Sequence, residues 1–176
     1  MKALILVDLQ NDFCPHGALP VPEGDQLIPI ANDLMPHFDW VVATQDWHPA
    51  NHGSFAANHP WRKPGQIIEL HGLSQILWPI HCVQGSFGAE FADGLAIDGI
   101  DKIFPKGTDV EIDSYSGFFD NGKRQETGLG EWLREQSIER VDVVGDEGGF
   151  VGFEDRADLG EDLRVVLRPG ALVRGH

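Results

Sequence analysis

A short run of metal-binding residue types stands out in the first third of the chain. One carboxylate and two imidazoles lie close together at Asp46, His48 and His52, and a third imidazole follows at His81. Carboxylate oxygen combined with imidazole nitrogen suits a borderline divalent cation such as zinc, iron or manganese. Because residues two apart in an extended chain point the same way, Asp46 and His48 could face one ion. The alternative interpretation is a polar loop whose histidines make ordinary hydrogen bonds.

The run directly follows one of several apolar segments that predict buried strands. Uninterrupted apolar runs bounded by turn residues are typical of parallel strands that are covered on both faces. Strands are predicted over 2–7, 40–44, 100–104, 141–145 and 163–167. Apolar residues at helical spacing predict helices over 24–38 and 129–138. Alternating strands and helices predict an α/β fold, a doubly wound and mostly parallel sheet with helices on both faces.

The predicted strand ends bring further charged residues to one edge of this sheet. Asp8 ends the first strand, Asp46 and His48 follow the second, Lys106 follows the third, and residues 146–152 follow the fourth. In open α/β sheets, ligands bind outside the carboxyl ends of the strands. Each charge alone could be a surface or turn residue, so the prediction of a site depends on their coincidence. The segment 45–99 has little periodicity, and a loop region of that length usually carries function.

Composition and charge restrict the class of protein. A chain of 176 residues that is 41% hydrophobic suits a single domain over 1–176 with a sizeable core. The formal net charge of −15 argues against nucleic acid and against anionic membrane surfaces, because both require a basic patch. The first apolar run is cut short by Asp8, so it predicts neither a signal peptide nor a membrane span. Two cysteines without framework spacing predict a reduced, cytoplasmic setting.

Five blocks of sequence agree in residue type, order and spacing with a known family. The blocks are VDLQNDFC at 7–14, ATQDWHP at 43–49, HGSFA at 52–56, WPIHCV at 78–83 and KG at 106–107. They resemble the nicotinamidase and pyrazinamidase branch of the isochorismatase-like cysteine hydrolases. The resemblance is strong over 1–145 and degraded over 146–176, where the C-terminal part is also shorter than the family pattern.

The resemblance implies hydrolysis of nicotinamide to nicotinate and ammonia through a cysteine thioester, a reaction of NAD salvage. Asp8 matches the general base that takes the thiol proton. Lys106 matches the cation that lowers the thiol pKa and orients the aspartate, a role that its charge suits. The implied partner is therefore a small nicotinamide-like molecule.

The resemblance also assigns the metal and the substrate walls. The matched metal ligands are Asp46, His48 and His81, with His52 as a fourth ligand in part of the family. The implied cofactor is a divalent metal ion, with zinc favoured over iron or manganese, that holds the pyridine nitrogen. The matched aromatic residues are Phe13 and Trp78 as walls for the ring, and Tyr115 near the pocket mouth.

The family pattern is broken where its nucleophile is expected. After the fourth strand the family has a cysteine at the start of a helix, whereas this chain reads GDEGGFVGF over 145–153. The two possible alignments place Phe150 or Val151 at the nucleophile position, and neither can attack a carbonyl. No Cys, Ser, Thr or Tyr follows Ser137, so no nearby hydroxyl or thiol can substitute. The two cysteines present, Cys14 and Cys82, are predicted to be buried and inert.

Three functional interpretations follow from matched site residues without the expected nucleophile. The first is a nicotinamide hydrolase by descent, the second a metal- and nicotinamide-binding pseudoenzyme, and the third, weaker, is hydrolysis by metal-bound water with Asp8 as base. The altered residues from about 146 are interpreted either as natural divergence or as a defective or truncated gene product. A shortened C-terminal part could expose apolar sheet surface, which would favour a homo-oligomer.

Overall fold

The computed structural model describes residues 1–145 and the strand at 163–166. Within these residues the chain forms strands and α-helices joined by short 3-10 turns. Their bounds are β1 Lys2–Val7, α1 Leu27–Leu34, β2 Trp40–Asp46, β3 Ile67–Leu70, β4 Leu73–Ile76, β5 Lys102–Lys106, α2 Leu129–Glu135, β6 Arg140–Gly145 and β7 Leu163–Val166. None of the described helices is both long and apolar enough to cross a membrane.

Five strands form one parallel sheet in the order β5-β2-β1-β6-β7. The central strand, β1, has neighbours on both sides, and its residues 3–6 are fully buried. Parallel strands all place their carboxyl ends at the same edge of the sheet. The ends of β5, β2, β1 and β6 therefore lie along one edge, as the sequence predicted, and the strand order makes them neighbours.

Helices cover both faces of this sheet. On one face Leu4 and Leu6 pack with Leu27 and Ala31 of α1. On the other face the alternate β1 residues Ala3, Ile5 and Val7 pack with a second group that includes the α2 residues Leu129, Trp132 and Leu133. Burying one leucine or isoleucine side chain contributes about 1.5–3 kcal/mol relative to leaving it exposed. The predicted doubly wound architecture is confirmed.

The first helix is shorter than the periodicity predicted. α1 ends at Leu34, and a 3-10 turn over Met35–His37 follows instead of a continuous helix to Phe38. Pro36 explains the difference, because proline has no N–H for the helical hydrogen bond and its ring clashes with the preceding turn.

The strand that carries Lys106 lies two residues further along the chain than predicted. β5 includes Pro105, which pairs with Gln45, and it ends with Lys106 opposite Asp46. Proline is tolerated here because β5 is at the edge of the sheet, where a missing donor does not break the ladder. This register places the Lys106 ammonium next to the Asp46 carboxylate.

The segment predicted as long loops contains an additional hairpin, formed by β3 and β4. Its two-residue turn, His71-Gly72, has positive φ at both positions, 48° and 86°. Positive φ at both central residues is typical of a type I′ turn, for which Asn-Gly is the usual sequence signal. The strands are short and histidine stands where asparagine is usual, so the sequence pattern does not predict this hairpin.

Candidate active site

Three buried charged side chains meet at the carboxyl edge of the sheet. Asp8 directly follows β1, Asp46 ends β2 and Lys106 ends β5. The Lys106 ammonium lies 2.9 Å from Asp8 Oδ2 and 2.5 Å from Asp46 Oδ1. All three side chains are almost completely excluded from solvent. The strand order therefore brings together residues that are far apart in the sequence.

Asp8 has an uncommon backbone conformation and an asymmetric environment. Its φ of 50° lies in the left-handed region, which few residues other than glycine adopt, although aspartate tolerates it better than most. Thr44 donates a hydrogen bond of 2.7 Å to Asp8 Oδ1. Asp8 Oδ2 forms the ion pair with Lys106 but accepts no well-directed hydrogen bond from any described residue. One carboxylate oxygen thus remains available for a further donor.

The three charges set one another's proton affinity. Burial raises the pKa of Asp8 to about 6, although the nearby Lys106 opposes that effect. Burial also works against ionisation of Asp46, but Lys106 and His48 hold its pKa well below the usual range. Lys106 resists the effect of burial because Asp46 and Asp8 raise its pKa. Asp8 is consequently the member of the group whose pKa lies nearest neutrality, as a general base requires.

Asp46 also faces two imidazoles on its other side. Asp46 Oδ2 lies 3.6 Å from His48 Nε2 and 3.9 Å from His81 Nε2. The opposite ring nitrogen of each histidine donates to a backbone carbonyl, His48 Nδ1 to Gly107 at 2.8 Å and His81 Nδ1 to Pro79 at 2.8 Å. Because a carbonyl only accepts, Nδ1 carries the proton in the neutral form of each ring, and the Nε2 lone pair of that form faces Asp46 Oδ2.

This arrangement fits a divalent metal ion. One ligand atom from each of Asp46, His48 and His81 lies within 4.8 Å of the others. Imidazoles that donate their second N–H to a carbonyl are the usual arrangement around a bound metal, since the bond fixes both ring orientation and tautomer. The predicted ligands Asp46, His48 and His81 are therefore brought together.

His52 occupies a different position from these three residues. Its ring lies against that of His48, tilted by 49° with centroids 4.6 Å apart, and it forms a second potential ligand group with His48 and Asp113. Its Nδ1 accepts from the Ser54 N–H at 3.2 Å, and its Nε2 lies 3.3 Å from the Ile112 carbonyl oxygen. Both ring nitrogens of His52 therefore have protein partners, and its role as a fourth ligand stays a prediction.

A cavity of about 200 Å³ opens beside the charged cluster. Its lining includes Asp8, Lys106, His81, Phe13 and Trp78. The Phe13 ring meets the His81 ring edge-on, with centroids 5.8 Å apart. Aromatic side chains next to a charged group suit a flat ligand with a polar substituent. Both predicted aromatic residues thus line the same cavity as the predicted base and two of the predicted metal ligands, Asp46 and His81.

The predicted residues Trp78 and Tyr115 belong to a hydrogen-bonded group beside this cavity that also includes two residues the sequence did not predict. Trp78 Nε1 and Gln75 Nε2 both donate to the Tyr115 hydroxyl, at 3.3 and 2.8 Å. Gln75 also donates to Asp113 Oδ2 at 3.1 Å. Gln75 is on β4, so recognition of the hairpin would have been needed to find it. Asp113 lies two residues before Tyr115, in a loop outside the five matched sequence blocks.

The two cysteines in the described residues are not activated nucleophiles. Cys82 is completely buried, as predicted, and burial together with Asp46 and Asp12 raises its pKa. Cys14 is only half-buried and lines the cavity, so the prediction that it is buried is wrong. Burial, with Asp25 and Asp93, raises the pKa of Cys14 as well. Reactive cysteines have lowered pKa values. The positions predicted for the nucleophile, Phe150 and Val151, lie outside the described residues.

Comparison with known sequences assigns the family. The isochorismatase domain matches residues 2–147. The chain belongs to the isochorismatase family. Within this family, the nicotinamidase of Escherichia coli (strain K12) is 52% identical over 154 residues, which cover 82% of this chain and 69% of that protein.

Solved structures of nicotinamidases and pyrazinamidases are similar in fold. The Acinetobacter baumanii nicotinamidase/pyrazinamidase has a TM-score of 0.79 and 48% identity, covering 83% of this chain and 70% of that one. The pyrazinamidase of Pyrococcus horikoshii, in complex with zinc, has a TM-score of 0.64 and 32% identity, covering 95% of this chain and 99% of that one. The resemblance inferred from the five sequence blocks is confirmed.

Proposed function

We propose that this protein is a nicotinamidase-type amide hydrolase of the cytoplasm that acts in NAD salvage. Its substrates are nicotinamide and related heteroaromatic amides such as pyrazinamide. The proposal is carried by one observation: one cavity is lined by the proposed base, the cation, two of the three proposed metal ligands and both aromatic residues. The 52% identity to a nicotinamidase supports the choice of substrate.

Asp46, His48 and His81 would hold the metal ion. Zinc is the leading choice because it suits a ligand set of two imidazoles and one carboxylate, and because a relative was solved with zinc. Iron and manganese are the alternatives. When bound, the ion supplies a Lewis-acid contact for the ring nitrogen of the substrate. His52 would become a fourth ligand only by giving up a hydrogen bond to Ser54 or Ile112.

The other residues of the cavity bind the ring and handle the proton. Phe13 and Trp78 would pack against the flat ring of the amide. Asp8, with its pKa raised to about 6, takes a proton from the attacking nucleophile, which is water where no activated side chain is present. It then gives that proton to the departing ammonia. Lys106 stays charged, orients Asp8 through their 2.9 Å ion pair and offsets negative charge that develops on the amide.

A second candidate function is a nicotinamide-binding protein without turnover. The observation that favours it is chemical: no Cys, Ser, Thr or Tyr follows Ser137, and both cysteines present have raised pKa values. Without an activated side chain, hydrolysis would need water as the nucleophile, with Asp8 as its base. Nicotinamide binding and nicotinamide hydrolysis must therefore be measured separately for this chain.

The test combines calorimetry with an ammonia-release assay on the full chain supplied with zinc. We expect nicotinamide to bind, and Trp78→Ala to lose that binding while the solvent-exposed Trp61→Ala keeps it. Ammonia release that Asp8→Asn abolishes supports the hydrolase. Binding without ammonia release supports the second candidate, and absence of binding contradicts both. Phe150→Cys or Val151→Cys should produce or increase release if only the nucleophile is missing.

A further inference from the structure

The segment that follows Asp8 contacts the metal-ligand group without contributing a ligand. Gln10 is completely buried, and its side-chain amide is hydrogen-bonded to both the N–H and the carbonyl of Asp46. Gln10 Oε1 accepts from the Asp46 N–H at 2.7 Å, and Gln10 Nε2 donates to the Asp46 carbonyl at 2.8 Å. The same Nε2 donates to the Ala89 carbonyl at 2.9 Å. An amide that satisfies both backbone groups of one residue fixes that residue as a neighbouring strand would.

Asp12 makes a comparable contact next to His81. Asp12 Oδ2 accepts from the Cys82 N–H at 2.7 Å, and Asp12 Oδ1 accepts from the Ala18 N–H at 3.0 Å. Cys82 directly follows His81 and has a positive φ of 46°. A residue other than glycine keeps such a conformation only when its surroundings hold it there. Asp12 supplies that restraint on the backbone that carries the ligand.

The Asp12 carboxylate has little space in which to move. A Cβ atom added to Gly88 would lie only 2.1 Å from Asp12 Oδ2 and 2.4 Å from Asp12 Oδ1. The carboxylate therefore packs directly on the bare backbone of residue 88. Phe13, the next residue after Asp12, contacts the His81 ring itself. The surroundings of His81 are thus set from the segment that follows β1.

We propose that Gln10 and Asp12 are positioning residues of the metal site. Gln10 fixes the backbone of Asp46, and Asp12 fixes the backbone of His81 through Cys82. The segment that carries Asp8 consequently sets the geometry of two of the three ligands. This inference rests on the metal site proposed above. Partners outside the ligand shell typically change metal affinity 10- to 100-fold when they are removed.

The experiment measures zinc affinity of the full chain by competition with a chromophoric chelator. Asp12→Ala and the near-isosteric Gln10→Met should each lower the affinity about 10-fold or more. Asp101→Ala is the matched control, because Asp101 Oδ2 also accepts a backbone N–H at 2.7 Å, from Val41 at the opposite end of β2. The unfolding midpoint of each metal-free variant is measured in parallel.

Gly88→Ala provides an independent variant that leaves every polar group in place. Its added methyl group must displace the Asp12 carboxylate, so zinc affinity should fall as it does in Asp12→Ala. If Asp12→Ala does not fold, Gly88→Ala and Gln10→Met decide the question. Wild-type affinity in the folded variants overturns the inference, and so does an equal loss in Asp101→Ala. Absence of zinc binding by the wild-type chain overturns the metal site itself and this inference with it.

Discussion

Lys106 balances the charges of the site. It contacts both carboxylates and also donates to the Ser114 carbonyl at 3.0 Å. Burial alone would favour a neutral amine, but the two carboxylates keep the ammonium charged. Removing one partner of a buried ion pair leaves an uncompensated charge in a region of low dielectric. The stability of the edge of the sheet should therefore depend on this residue.

Lys106→Met should lower the free energy of unfolding by about 3–5 kcal/mol, because both Asp8 and Asp46 lose their counter-charge. The measurement is urea denaturation at neutral pH. Lys63→Met is the control, since Lys63 is exposed and its ammonium has no such role. An unfolding free energy in Lys106→Met equal to that of the control would contradict the buried ion-pair network.

Asp8 should make stability fall as pH rises. Its pKa in the folded protein, about 6, lies above the ordinary value of 3.8, so the folded state holds this proton more tightly than the unfolded state. The associated stability is fully present below the ordinary pKa and is lost as pH rises through the folded value.

Relative to Asp8→Asn, which cannot titrate, the free energy of unfolding of the wild-type chain should therefore decrease between about pH 4 and pH 6. The measurement is chemical denaturation of both metal-free proteins at several pH values. Subtraction of the variant removes the contributions of the histidines and of Asp46. A difference that stays constant across this range would contradict a raised pKa for Asp8.

At the scale of secondary structure, strand register and one tight turn position the ligands. The pairing of β2 with β5 places Asp46 opposite Lys106, and the chain then turns at Gly107. Gly107 has a φ of 61°, and its carbonyl accepts from His48. An added Cβ at this position would lie 2.3 Å from the His48 ring. Only glycine therefore allows the backbone to approach the imidazole this closely.

Gly107→Ala should destabilise the fold and also weaken zinc binding, because the methyl group displaces His48. Gly72→Ala is a matched control: Gly72 also has positive φ, but an added Cβ meets no atom within 4 Å. The control should lose about 1–2 kcal/mol from the left-handed backbone alone and keep its zinc affinity. Denaturation and chelator competition measure the two effects. Equal behaviour of the two variants would show that the contact with His48 is unimportant.

At the scale of the whole molecule, folding and metal binding should be coupled. The three proposed ligands come from β2, the segment just after it and the loop before β5, so they converge only when the sheet has formed. A ligand that binds only the folded state stabilises it, by about 2.7 kcal/mol at 100 times its dissociation constant. The unfolded chain has no such preformed site.

Zinc should accordingly raise the midpoint of thermal unfolding, and His81→Ala should abolish that rise. His59→Ala is the control, because His59 bonds the Gly53 carbonyl and does not belong to either potential ligand group of the described residues. The measurement is thermal denaturation with zinc or with a chelator present. A zinc-dependent shift that survives in His81→Ala would argue against the proposed ligand set.

The sequence by itself determined the architecture and most of the residues that meet at the site. Apolar runs predict strands because burial on both faces excludes polar residues, and the ends of parallel strands share one edge. Asp8, Asp46 and Lys106 were therefore expected together from local patterns alone. The order and spacing of the sequence blocks also identified the family.

Only the tertiary structure decided which partners hold those residues in place. Thr44 donates a hydrogen bond to Asp8, 36 residues away in the sequence, and Gln75 donates one to Asp113, 38 residues away. The left-handed backbone of Asp8 and Cys82, the extension of β5 through Pro105 and the separate position of His52 likewise depend on neighbours from other segments. Residue type and local periodicity carry no information about such contacts. They arise when the packed sheet brings distant segments within hydrogen-bonding distance, and their energies then fix the local conformation.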